Sequence, residues 1–63
     1  MVTKAELSSI ETAVQELGER LVASADELLG TINEHVAVDL YEVDRSLRMA
    51  RRRLSKAAEG LKS

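Results

Sequence analysis

Apolar residues recur along this chain in two heptad runs that are out of phase with each other, and the break between them falls beside Gly30. Leu7, Ile10, Val14, Leu17, Leu21, Ser24 and Leu28 follow one another at alternating spacings of three and four, with Ser24 the one polar member. Val36, Leu40, Val43, Leu47, Ala50, Leu54, Ala57 and Leu61 repeat at four and three. Spacing of this kind makes the apolar seam of a left-handed supercoil. Carried past Leu28, the first run would place its next members at Thr31, His35 and Val38, five residues out of step with the second run. A single stutter or stammer shifts the phase by four or three, so neither alone accounts for the jump. The pattern predicts two helices and a reversal.

Local signals agree with that division. Thr3 followed by Glu6 has the form of a capping box, with Val2 and Leu7 placed for a hydrophobic staple around it. Gly30 is a preferred residue just past a helix end, and Thr31 with Glu34 reads as a second capping box. The expectation is an all-α chain: a first helix over about residues 4–29, a turn at about 30–33, and a second helix over about 34–60. Folded there, the two runs meet antiparallel, like a coiled coil, and form a single hairpin centred on Ile32. Leu17 then faces Leu47, and Leu21 faces Val43, at the structural centre. Alongside this seam Glu11 approaches Arg51, whereas Glu27 comes near Asp39 and opposes the arrangement. Two other readings exist. Gly18 and Gly30 could both sit inside one long helix, and Val36, Val38 and Leu40 alternate like a short strand. The strand leaves unexplained why the heptad runs unbroken from Val36 to Leu61.

Composition narrows the function classes. The chain has 63 residues, no Cys and no Pro, and Tyr41 is its sole aromatic residue. Without Cys there is no disulfide, thiolate metal site or thiol nucleophile. No apolar run approaches the length of a membrane span, and the N-terminus has no secretory core, so a cytoplasmic location is the expectation. His35, the one histidine, shares a helix face with Asp39 and Glu42, but the inward Glu-x-x-His units of bundle metal sites are absent. No Ser–His–Asp set or glycine-rich phosphate loop occurs either. The reading is non-enzymatic, with no cofactor, metal or small-molecule substrate.

Two helices touching along one seam leave most of their surface wet, so a partner is expected to complete the core. Val22, Ala25, Leu29 and Ile32 form a second apolar stripe at spacings of three and four, and Val38 and Tyr41 add to it beyond the turn. Two hairpins joined through these residues would make a homodimeric four-helix bundle. A larger helical protein could dock on the same stripe, which makes the chain a small interaction module or adaptor.

Charge supplies the rival function. The first thirty residues hold two basic residues against six acidic ones, whereas Arg45, Arg48, Arg51, Arg52, Arg53 and Lys56 follow one another with no acid between them. Arg45, Arg48, Arg52 and Lys56 point away from the seam over about 17 Å of helix. Such a stripe suits an anion, an acidic protein face or a phosphate backbone, so a nucleic-acid-binding regulator is the alternative. Opposing it are a net charge of −2 and the lack of residues for stacking on bases. Membrane adsorption is not expected, because the face opposite the cations is committed to the seam.

The stretch LYEVDRSLRMARRRLSKAAE, residues 40–59, resembles the C-terminal helix of exonuclease VII small subunits, short helical partners of a nuclease. The Gly-x-Leu-x-Leu-Glu segment of that family is missing upstream, so no membership follows. RNA-binding hairpin dimers encoded on plasmids share the length and architecture, which sets no function.

Overall fold

The computed structural model describes residues 1–62 as two helices, α1 (Lys4–Leu28) and α2 (Glu34–Gly60), with no strand among the described residues. They pack against each other as an antiparallel hairpin measuring 51 × 14 × 13 Å. Thr3 starts α1 in extended conformation, and its Oγ1 accepts the Glu6 N–H at 3.1 Å. This satisfies one of the donors that a helix start leaves without a partner.

The reversal is built differently from its sequence signature. Leu29 (φ −64°, ψ 136°) and Gly30 (φ 76°) are the central residues of a type II turn closed by the Thr31 N–H on the Leu28 carbonyl at 3.2 Å. Thr31 does not cap α2. Its hydroxyl donates to the Leu28 carbonyl at 2.6 Å and accepts the Asn33 N–H at 3.1 Å, so it serves the end of α1 and the turn. Asn33 occupies the cap position without a side-chain cap bond, and Glu34 Oε1 reaches back to accept the Gly30 N–H at 3.3 Å. The expected second capping box is therefore corrected: the tight turn uses the Thr31 hydroxyl before the helix can.

Gly30 is needed for its backbone alone, since a Cβ there would meet nothing within 4 Å. Gly30→Ala should cost about 1 kcal/mol of stability, the penalty of left-handed backbone for an L-residue. Gly60→Ala serves as the control, because Gly60 is helical and equally uncrowded. It should be neutral or raise stability by at most about 0.5 kcal/mol, because Gly60 is the last residue of α2 and helix propensity counts in full only in the interior. Thermal melts of both variants check the pair.

The helices are rotated relative to the expected seam. Their least exposed residues are Leu7, Glu11, Val14, Gly18, Leu21, Val22, Ala25 and Leu28 on α1. On α2 and its C-cap they are Ala37, Leu40, Tyr41, Asp44, Leu47, Arg51, Leu54, Ala58 and Leu61. The rows Leu7–Val14–Leu21–Leu28 and Leu40–Leu47–Leu54–Leu61 face inward as expected. Their companions have changed: Glu11, Gly18 and Ala25 replace Ile10, Leu17 and Ser24, and Ala37, Asp44, Arg51 and Ala58 replace Val36, Val43, Ala50 and Ala57. That exchange is a turn of each helix by about 50°, half the step between successive residues. The fully enclosed residues explain it. Gly18, Ala25 and Ala37 are all small, and small residues at a crossing let the helix axes draw together.

Candidate interaction surfaces

In an antiparallel pair, the row on one side of the seam in the first helix lies beside the row on the matching side of the second. One broad face of the hairpin thus carries Ile10, Leu17 and Ser24 from α1 with Val36, Val43, Ala50 and Ala57 from α2. Its large members are left half-open: Ile10 is 47% exposed, Leu17 48%, Val36 36% and Val43 45%. A shallow groove lined by Leu17, Arg20, Leu21 and Ser24 runs along it. Leu17 and Val43, expected at the structural centre, stand here at the surface; Leu21 and Leu47 alone of that quartet turn inward.

The stripe expected to form the assembly surface is dispersed. Ala25 is fully buried between the helices and belongs to the hairpin's own core. Val22 and Tyr41 are half-buried at the edge of the opposite broad face. Leu29, Ile32 and Val38 remain exposed near the turn, Ile32 at 92%.

That opposite face is polar and internally bonded. The Tyr41 hydroxyl donates to Asp26 Oδ1 at 2.6 Å, Arg48 Nε lies 3.3 Å from Asp44 Oδ2, and Arg51 Nη2 donates to Gln15 Oε1 at 3.2 Å. Asp44 fits where Gly18 has no side chain, for a Cβ on Gly18 would stand 2.8 Å from Asp44 Oδ1. An open groove of about 340 Å³ beside this notch runs past Val14, Val22 and Leu47. The expected approach of Glu11 to Arg51 yields no ion pair among the described residues: Arg51 takes Gln15, and Glu11 Oε1 is buried with no hydrogen-bond partner.

Arg45, Arg48 and Arg52 converge with Met49 around one shallow recess, whereas Lys56 lines none of these grooves. Arg53 lies on the other side of α2, at the rim of the apolar face. Among the described residues no group of three or more His, Cys, Asp or Glu is placed to hold a metal ion. No helix among them is long and apolar enough to cross a membrane.

The Tyr41 phenol is held above its ordinary value of 10.0, chiefly because its proton is bonded to Asp26, with desolvation and the carboxylate's charge acting the same way. A raised value means that the fold favours the neutral phenol. The associated stability is complete below pH 10 and is lost as pH rises through the folded-state value. Phenolate absorbance reads this cleanly, since Tyr41 is the only aromatic residue. The midpoint should lie above that of free tyrosine, and Asp26→Ala should return it to the ordinary range.

No family model matches the chain, and no curated protein or solved structure matches it. The likeness of residues 40–59 to exonuclease VII small subunits accordingly assigns no function.

Ile10, Leu17, Val36 and Val43 have the spacing of seam residues, which hides their place at the surface. A signal was available: Gly18, Ala25, Ala37 and Ala58 follow the same heptad on the other flank of the leucine rows.

Proposed function

We propose that this chain is a non-catalytic protein–protein interaction module that completes its core by assembling as a homodimeric four-helix bundle. The supporting observation is the broad face bearing Ile10, Leu17, Val36 and Val43, half-exposed in a hairpin whose own enclosed residues, among the described residues, are only Gly18, Ala25 and Ala37. Beside the inward leucine rows, the flank with the larger apolar side chains has been left outside while the flank bearing Gly18, Ala25 and Ala37 is enclosed. A contiguous face of that kind is characteristic of a surface that meets another protein. Packing two such faces gives each helix a second neighbour, the condition of a four-helix bundle.

Sedimentation equilibrium tests the reading. The solution mass should exceed the 6.9 kDa of one chain, and the melting temperature should rise with protein concentration, as mass action requires of a fold completed by association. A cooperative, concentration-independent melt at 6.9 kDa overturns it.

A second reading rests on the convergence of Arg45, Arg48 and Arg52 around one recess. It makes the chain a nucleic-acid-binding regulator. Arg48 is already paired with Asp44, which weakens that stripe as a phosphate track. Titration with duplex and single-stranded probes at two salt concentrations decides, since phosphate binding must fall steeply as salt rises.

A further inference from the structure

The apolar face carries a pattern of residues on α2 that reverses onto itself. On α2 it presents Val36, Val43, Ala50 and Ala57 seven residues apart, and along its outer rim Asp39, Ser46 and Arg53, also seven apart. Reversed about a point beside Ser46, the stripe is complementary to itself. Val36 then falls opposite Ala57, Val43 opposite Ala50, and Asp39 within one residue of Arg53. Along α2 each valine meets an alanine, and the acid meets a base. The row on α1 reverses about Leu17: Ile10 falls opposite Ser24 and Leu17 meets its own copy, while on the rim Glu6 of one chain comes within one residue of Glu27 of the other. Both reversals occur at one level of the hairpin. The bond from Arg51 to Gln15 and the seat of Asp44 against Gly18 bracket Leu17 at the height of Ser46. A single two-fold axis therefore serves both helices, as a closed dimer requires.

We infer that two copies dock through this face with their turns at opposite ends, α2 against α2 and α1 against α1, so that Asp39 of each chain pairs with Arg53 of the other. This rests on the assembly reading above and specifies its geometry. The alternative two-fold, with both turns at one end, lays α2 on the partner's α1. The Tyr41–Asp26 bond puts Asp39 and Glu27 at nearly the same height, so that arrangement would set carboxylate against carboxylate twice with no rim attraction to offset it, whereas in the inferred one the two Asp39–Arg53 pairs offset the approach of Glu6 to Glu27. Like charges juxtaposed at an interface select against a pairing, and opposite charges set its orientation. Asp39 and Arg53 are exposed, and the hairpin's own ion pair among the described residues is Arg48–Asp44, which leaves both available.

The chain has no cysteine, so one introduced thiol reports the axis directly. Ser46→Cys should cross-link rapidly on mild oxidation to a disulfide-bonded dimer, whereas Ser55→Cys, on the opposite face, should not. Asp39→Arg should weaken dimerisation about tenfold, because two rim attractions become repulsions, and Asp39→Arg with Arg53→Asp should restore it. Circular dichroism should show unchanged helicity in every variant, since all these positions are exposed. A wild-type dimer in which Ser46→Cys fails to cross-link and the charge swap has no effect overturns this geometry and leaves the assembly reading standing. A wild-type chain that stays monomeric at every concentration removes both.

Discussion

Ala25→Asp should unfold the hairpin, and Ala23→Asp, two positions earlier, should leave it helical. Ala25 is 0% exposed where the helices touch, and Ala23 faces solvent on the other side of the helix. Both substitutions exchange a strong helix former for a weak one near the end of α1, and both add a negative charge toward the negative pole of the helix. These costs nearly cancel in the comparison, so the difference isolates burial. A carboxylate at position 25 has no cation beside it in the seam and is too short to reach water along the helix. An uncompensated buried charge costs about 3–5 kcal/mol. A native chain of this length has only roughly 3–9 kcal/mol of total stability, so the variant should lose most of its helical signal by far-ultraviolet circular dichroism at room temperature. If Ala25 instead lay on an outer stripe, the two variants would melt together.

That contrast also marks where the sequence was legible. Signals that act within a few residues could be read directly. Thr3 and Glu6 start α1, and Gly30 with its positive φ ends it in a turn. The change of heptad phase at that glycine required a reversal, and the rows Leu7, Val14, Leu21, Leu28 and Leu40, Leu47, Leu54, Leu61 face inward as their spacing demands. Thr31 was misread because one hydroxyl had two local uses, and the turn took it. Helix rotation was the remaining uncertainty, and it could not be settled by hydrophobicity. Each leucine row has a larger apolar row on one flank and a smaller, partly polar row on the other. Counting apolar residues selects Ile10, Leu17, Val36 and Val43 for the seam. Close approach of two helices selects Gly18, Ala25 and Ala37. One rotation of about 50° accounts for both displaced assignments, bringing Ala25 inside and carrying Ile10 and Leu17 to the outer face. The candidate surface therefore follows from the packing, and the small residues Gly18, Ala25, Ala37 and Ala58 were its one trace in the sequence.

The same rotation has turned a charged residue inward, and replacing it should strengthen the fold. Glu11 lies in the inward row of α1 with Oε1 buried and without a hydrogen-bond partner. Arg51, the nearest expected cation, donates to Gln15 instead. Leaving a buried acceptor unsatisfied costs about 1–3 kcal/mol, and a partly buried leucine at the same position would contribute about 1 kcal/mol of apolar burial. Glu11→Leu should thus stabilise the hairpin by about 2 kcal/mol, which for a chain of this size raises the melting temperature by about 10 °C. Glu11→Gln keeps the shape but not the charge and should fall between the two. Gln15→Ala provides the converse: it removes the acceptor that holds Arg51, freeing that guanidinium to turn to Glu11, so it should be nearly neutral in the wild type and destabilising in the Glu11→Leu background. A fall in melting temperature for Glu11→Leu alone would show that Glu11 is neutralised in solution by the arginines lining its groove. The inward charge would then belong to the forces holding the helices together.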